Sequence, residues 1–359
     1  MDSRFIIDWL SFTIPVEYAR TLTRDNVMAI VRRIGLNFEF EERDRGRYGY
    51  TKSLNFADCI LVLFNEFDEM APIERQEQVK NMGIHLEITG QGCRYLESVI
   101  DEQWQVFFEV LNSYKVKYSR LDIALDDYDG MLDFKVIEKK VKAGEVISTS
   151  KKRDVEETIE VNKKEKFDNK GNSKGKTIYF GTRSSSVFIR LYDKKKEQEN
   201  KGIVVDVDFW QRYEIVLRKE KAEDFIERYI AGETFDYLYL GVIAGAIRFV
   251  DKGIDTNKAR WKTSDFWEKF LKGTDLIKLQ SQIKTPDIEK TISWVDNSVL
   301  SSLEVLDEVA KQGNLNLYKI LERASKKISD RHKDVLNGFN ALREDEKMLI
   351  YDKIKQMGR

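Results

Sequence analysis

Four short segments in the first two thirds of the chain alternate apolar and charged residues with a period of two. Successive strand side chains point to opposite faces, so each segment divides into two sets. In Gly83-Ile84-His85-Leu86-Glu87-Ile88-Thr89-Gly90, the residues His85, Glu87 and Thr89 oppose Ile84, Leu86 and Ile88. In Arg120-Leu121-Asp122-Ile123-Ala124-Leu125-Asp126-Asp127, Arg120, Asp122, Ala124 and Asp126 oppose three aliphatic residues. In Val187-Phe188-Ile189-Arg190-Leu191-Tyr192-Asp193-Lys194, one face carries Phe188, Arg190, Tyr192 and Lys194. In Arg212-Tyr213-Glu214-Ile215-Val216-Leu217-Arg218, Arg212, Glu214, Val216 and Arg218 share a face. Were the four strands in one sheet, one surface would be packed and the other would gather Glu87, Asp122, Asp126, Glu214, Arg190, Tyr192 and Lys194. Clustered carboxylates suit a hard divalent cation, Mg²⁺ or Mn²⁺. Such an ion polarises a phosphate whose charge Arg or Lys can neutralise. A tyrosine beside it can attack phosphorus and hold the new end as a phosphotyrosine.

An antiparallel sheet wetted on one face shows the same alternation, with opposite charges paired across strands. The pattern by itself leaves both readings open, and Tyr192 is one of 15 tyrosines. His85 reads as a hydrogen-bonded strand residue. Phe188 reads as a partly buried aromatic or as a platform for a DNA base.

The elements that must position these residues are strands over 5–13, 60–64, 84–89, 117–125, 177–180, 187–192 and 209–217. Helical spacing of apolar residues falls over 27–34, 96–111 and 134–141, with Gly144 as a stop after the last. Beyond Arg218 the chain turns helical: 221–230 ends at Gly232, and 235–250 is strongly apolar. Ser264 before Asp265-Phe266-Trp267-Glu268 fits an N-cap with an acidic first turn. Pro286 fits the first position of a further helix, and the helical pattern continues nearly to the end. Residues 151–176 are polar, basic and rich in Gly and Asn, which reads as a hairpin extension or loop. The expected division is a domain over 1–250 carrying the charged sheet face and a helical domain over 251–359.

At 359 residues with 42% hydrophobic and 34% charged side chains, the chain can build a core and has no apolar run long enough to span a bilayer. Met1-Asp2-Ser3-Arg4 leads straight into a strand, without a secretory signal, and the expected location is the cytoplasm. Two cysteines and two histidines give neither a disulfide framework nor zinc-ligand spacing. The net charge of −1 hides an asymmetry. Residues 139–201 carry 18 Lys/Arg against 10 Asp/Glu, so a basic segment on a neutral protein can still meet DNA phosphates, although a solvated loop needs no partner.

At these same segments the sequence resembles the replication initiation factors of rolling-circle plasmids and phages and the related relaxases of integrative conjugative elements. The carrying stretches are Ile7-Asp8-Trp9-Leu10-Ser11-Phe12-Thr13, Leu86-Glu87-Ile88-Thr89-Gly90-Gln91-Gly92-Cys93 and Arg120-Leu121-Asp122-Ile123-Ala124-Leu125-Asp126-Asp127. Further ones are Thr177-Ile178-Tyr179-Phe180-Gly181-Thr182-Arg183-Ser184-Ser185, Phe188 to Gln198, and Tyr213-Glu214-Ile215-Val216-Leu217-Arg218. A tail motif, Ser293-Trp294-Val295-Asp296 followed by Leu300-Ser301-Ser302-Leu303, looks like the family's as well.

The resemblance implies an α+β fold with a large, mostly antiparallel, curved sheet carrying the active site and a helical C-terminal region. It implies an enzyme that nicks one strand at a double-strand or transfer origin, leaving a 5′-phosphotyrosine link and a free 3′-OH. Tyr192 would be the nucleophile, with Arg190 and Lys194 steadying phosphate oxygens. Glu87, Asp122 and Glu214, with Asp126 in reserve, would hold Mg²⁺ or Mn²⁺. The implied partners are the DNA origin, unpaired at the nick site, a host helicase, since the chain has no Walker A loop, and a second copy in a homodimer. Two rivals stand beside this reading: a DNA-binding regulator of a mobile element without cleavage activity, and a metal-dependent nuclease that uses water.

Overall fold

The structure is a computed structural model that describes residues 4–17, 19–160 and 172–271, with short helical stretches between 303 and 311 and at 347–351. The chain divides into two compact units, Met1–Lys278 and Leu279–Arg359, and among the described residues every strand lies in the first. The tail motif around 293–302 and most of the helical pattern beyond Pro286 lie outside the described residues.

The chain begins with β1 (Arg4–Ile14), α1 (Arg24–Arg33), β2 (Glu41–Arg43), β3 (Lys52–Phe56), β4 (Ile60–Phe64), α2 (Ile73–Met82) and β5 (Ile84–Thr89). Then come α3 (Gly90–Ile100), α4 (Trp104–Ser113), β6 (Lys117–Asp127), α5 (Phe134–Lys142), β7 (Val146–Ser148), β8 (Arg153–Glu160) and β9 (Asn172–Phe180). The remainder is β10 (Val187–Asp193), α6 (Lys194–Asn200), β11 (Gln211–Arg218), α7 (Glu220–Ile230), α8 (Phe235–Ala246) and β12 (Ile247–Phe249). Ten strands form one antiparallel sheet in the order β2-β3-β4-β5-β1-β6-β11-β10-β9-β8. The fold is α+β. β12 and β7 pair separately.

One face of the sheet is the core. Leu10 and Phe12 of β1, Leu121 and Ile123 of β6, and Ile215 and Leu217 of β11 are all buried there, with Trp104, Phe108, Phe225 and Leu238 from the covering helices. Tyr239 of α8 donates to the carbonyl of Tyr213 at 2.7 Å, tying the helical layer to β11. Ala222 and Ile226 of α7, four residues apart, are buried on one side of their helix, as helical spacing requires.

The apolar spacing over 96–111 belongs to two helices. Asp101 and Glu102 both adopt left-handed backbone, φ 52° and 58°, which ends α3 before α4 begins. The apolar stretch after Phe235 divides likewise into helix α8 and strand β12. In the basic segment, β8 and β9 pair as an antiparallel hairpin at the sheet edge. The first unit extends past residue 250 because the helical residues 265–271 place Trp267 and Phe270 in the core, with ring centroids 4.9 Å from Phe249 and 5.7 Å from Tyr213. The boundary therefore falls later in the chain than the charge and apolar patterns suggest.

Candidate functional site

The strands carrying the charged alternation are neighbours at the middle of the sheet. β10 pairs with β11, β11 with β6, β6 with β1 and β1 with β5. In register, Arg190 lies opposite Glu214, Tyr192 opposite Arg212, and Arg212 opposite Asp126. One face of the sheet therefore holds six of the seven side chains expected to gather there, and Lys194 follows at the start of α6.

At its centre is Glu214, fully buried. Arg190 donates to Glu214 Oε1, and Tyr192 Oη donates to Glu214 Oε2 at 3.2 Å. Burial, reinforced by the Glu214 charge, pushes the Tyr192 phenol well above its ordinary range. Burial works against charge on Arg190, but Glu214 more than offsets it and the guanidinium stays charged. Lys194 opens α6, where the Asp193 carboxylate caps the helix by accepting from the backbone N–H of Lys196. Its ammonium sits 5.6 Å from the Tyr192 ring centroid and 2.7 Å from Glu197 Oε2. Burial and the nearby Arg212 lower its proton affinity.

Asp122, on the neighbouring strand β6, is gripped by Arg120 through Nε and Nη2 at 2.7 and 2.5 Å. Burial raises its carboxyl to about 7, Arg120 pulls the other way, and Glu214 adds to the rise. A buried carboxylate raised by a neighbouring negative charge has the chemistry that a divalent cation relieves. Mg²⁺ commonly takes one or two protein carboxylates and completes its shell with water and substrate phosphate. Both oxygens of each acid already accept hydrogen bonds, Asp122's from Arg120 and Glu214's from Arg190 and Tyr192, so an ion held by this pair would displace those donors.

The other two expected ligands are engaged elsewhere. Asp126 accepts from Arg212 Nε and Nη2 at 2.7 and 2.8 Å, which occupies both its oxygens. Glu87 accepts from Tyr48 Oη at 3.1 Å and faces Arg47 at 3.5 Å, on the far side of β1 from Asp122. Among the described residues no group of three His, Cys, Asp or Glu side chains is arranged to hold a metal.

A bulge in β1 brings further residues to this face. Ile7 pairs with Ile123 and Trp9 with Asp122, so Asp8 is an extra residue and the strict alternation breaks. Asp8 reaches Arg212 Nη1 at 3.0 Å, and Trp9 lies 4.5 Å beneath the Arg120 guanidinium. Arg212 is thus shared by Asp8 and Asp126 directly across from Tyr192, and these acids hold it charged although it is buried.

Comparison with known proteins adds an independent observation. The model of the replication initiation factor family matches residues 116–322, more than half the chain and the whole stretch bearing Asp122, Tyr192 and Glu214. The chain belongs to the replication initiation factor family. Residues 4–113 of this initiator-family chain match the rolling-circle replication initiation protein N-terminal domain. It is 26% identical over 323 residues to the Bacillus subtilis (strain 168) protein named "Putative DNA relaxase NicK", covering 88% of this chain and 86% of that one. It is also similar to the solved rolling-circle replication initiator protein from Geobacillus stearothermophilus, with a TM-score of 0.63 and 30% identity. That match covers 78% of this chain and 100% of the other. The family is one of rolling-circle initiators and relaxase-like DNA nickases. Among the described residues of this initiator-family chain, no helix is long and apolar enough to cross a membrane.

Arg120, Arg212 and Arg218 stand on the expected face, yet the alternation alone gives them no chemical role. Asp8 and Trp9 escape a period-two reading altogether, because the bulge that turns both toward this face leaves no mark in the alternation. Phe188 is buried and stacks on Tyr179 at 5.7 Å with an interplanar angle of 3°, which occupies the ring internally.

Proposed function

We propose that this chain nicks one DNA strand at its origin by transesterification onto Tyr192. The observation that carries the proposal is the Tyr192–Glu214–Arg190 cluster: a phenol hydrogen-bonded to a buried carboxylate, with a charged guanidinium beside it on the same sheet face. A phenol held this far above its ordinary range needs a base to become a nucleophile, and Glu214 is within reach of its proton.

In this reading the unpaired strand lies across the face and Arg190 and Lys194 steady the scissile phosphate. Tyr192 loses its proton to Glu214 as the Oη–phosphorus bond forms and the bond from phosphorus to the 3′ oxygen breaks. The 5′ phosphate stays on the tyrosine, and the departing 3′ oxygen takes up a proton to leave a free hydroxyl. Asp122, and Glu214 until it takes the proton, would hold the Mg²⁺ or Mn²⁺ ion, which when bound supplies charge stabilisation at the phosphate. Asp126 then acts as a positioning residue by fixing Arg212 opposite Tyr192, and Glu87 orients Tyr48. Strand opening falls to a separate helicase because the chain has no Walker A loop, and a second copy would supply the second tyrosine for termination.

The test is a nicking assay on supercoiled plasmid bearing the cognate origin, with Mg²⁺ or Mn²⁺, read on a denaturing gel for a covalent protein–DNA adduct. The wild type should give both nick and adduct, and Tyr192→Phe should give neither while still binding single-stranded DNA. Nicking without an adduct would assign the attack to water, and an adduct in Tyr192→Phe would assign it to another residue.

A further inference from the structure

Beside the proposed cleavage centre, between β5, β1 and the loop before β3, lies a cleft of about 540 Å³ that the nicking chemistry does not use. Its walls combine ring faces and cations. Trp9, Tyr48, Tyr50 and His85 supply the rings, Arg47, Arg120 and Arg218 supply positive charge, and among the described residues Glu87 is the one acid in the lining, facing Arg47 and accepting from Tyr48. His85 accepts or donates one hydrogen bond at Nδ1 with Thr13 Oγ1, at 2.9 Å, and stacks on Tyr50 at 6.3 Å. Burial lowers its proton affinity against the opposing pull of Glu87.

Three features of the cleft point to a ligand. Trp9 Nε1 is buried and has no hydrogen-bond partner. Arg218 Nε is likewise buried and unpartnered. Burial and the neighbouring Arg120 weaken the hold of Arg218 on its proton, and no ion pair with it is found among the described residues. Asp122 offsets this only in part, and a phosphate would give this half-buried cation a partner. The third feature is Tyr48, 68% exposed and with a left-handed backbone, φ 57°. A bulky residue rarely takes that conformation, and the tight loop around it holds it there. In that loop a Cβ on Gly46 would lie 2.2 Å from the Tyr50 carbonyl oxygen, so only glycine closes it. The chain thus spends backbone strain to stand an aromatic ring at the mouth of the cleft.

We propose that this cleft receives one unstacked nucleotide of the single strand that is to be cut. The base would lie among Trp9, Tyr48 and the Arg120 guanidinium plane, and its phosphate would meet Arg218 and Arg47. Aromatic and guanidinium faces are the surfaces on which proteins stack splayed bases. The site rests on the reading of this face as a strand-nicking surface and adds how the strand is held beside the nick. β1 and β10 are three strands apart in the sheet, about 14 Å at the usual inter-strand spacing, so a short strand can occupy the cleft and Tyr192 together.

The test compares, without metal, binding of the full chain to a fluorescent oligothymidylate and to an abasic strand of equal length. Both carry the same phosphates, so any difference reports bases. One stacked base should favour oligothymidylate by roughly 5- to 100-fold. Tyr48→Ala, at an exposed position, should cut that preference several-fold and leave affinity for the abasic strand unchanged, which also shows that the variant is folded. Trp9→Phe should abolish the part of tryptophan quenching that oligothymidylate causes in the wild type. Arg218→Gln should weaken both strands alike. Equal affinity for the two strands, or a preference that survives Tyr48→Ala, overturns the base site. Tight binding of thymidine monophosphate alone would instead assign the cleft to a free nucleotide. A chain that forms the tyrosine adduct yet treats both strands alike refutes this site only. A chain that prefers bases but never forms an adduct refutes the nicking assignment only.

Discussion

Asp122→Asn isolates the most unusual titration in the molecule. Burial, with Glu214 alongside, raises the Asp122 carboxyl from 3.8 to about 7 in the folded protein. Between those values the native state keeps a proton that the unfolded chain has released, so stability falls as pH rises and is lost through about pH 7. A shift of that size is worth at most about 4 kcal/mol, and roughly 2–3 kcal/mol of it is lost between about pH 5 and 8. Asparagine keeps an oxygen for Arg120 but cannot titrate. Urea unfolding of both proteins across this range should therefore show the wild type losing roughly 2–3 kcal/mol relative to the variant. His85, whose proton affinity burial lowers, pulls stability the other way with pH, but it does so in both proteins and cancels in the difference. Mg²⁺ favours the ionised carboxyl, so its stabilisation of the wild type should grow above about pH 7 and be absent in the variant. Parallel wild-type and Asp122→Asn profiles would refute the raised carboxyl and with it the argument for this ligand.

Glu214→Gln removes the charged acceptor for the Tyr192 proton. Single-turnover adduct formation should fall by about 10²- to 10⁴-fold with oligonucleotide binding changed little, and an unchanged rate would exclude Glu214 as the base. Arg212→Met strands Asp8 and Asp126 without their shared cation. It should cost about 3–5 kcal/mol in chemical unfolding, and a loss below about 1 kcal/mol would show that these acids find another partner. Gly46→Ala forces the Tyr48 loop to shift. It should erase the preference for base-bearing over abasic strands while leaving the urea midpoint close to wild type, whereas an unaltered preference would show that the loop takes no part.

The strands at the centre of the sheet are readable because each has one buried face, and burial writes a period of two into the residue types. Ile60–Phe64 and Ile84–Thr89 coincide with the expected segments residue for residue. The short strands β2 and β7 and the helix α2 are not readable, since α2 buries only Val79 and leaves no apolar stripe. The split of 96–111 hides for a related reason: Leu96 and Ile100 before the break at 101–103 and Trp104, Phe107 and Phe108 after it keep one helical spacing. At the site, alternation alone places Tyr192, Arg190 and Glu214 on one face, and cross-strand register brings them into contact. Pairing decides the rest. Which acid faces a tyrosine and which is locked by an arginine depends on neighbours far apart in the chain, as Asp126 and Arg212 show.

The matched N-terminal region ends at residue 113 and the initiation factor region begins at 116, in the turn before β6. The proposed cutting residues all fall in the later stretch, while Trp9, Arg47, Tyr48, Tyr50 and His85 of the cleft fall in the earlier one. Yet β1 and β6 are hydrogen-bonded along nearly their whole lengths, through the middle of the sheet. Severing the chain between the two regions would strip a ladder from each and bare the apolar face of both, and the grip, which takes Arg120 and Arg218 from the later stretch, cannot be parted from the cutter in the folded molecule.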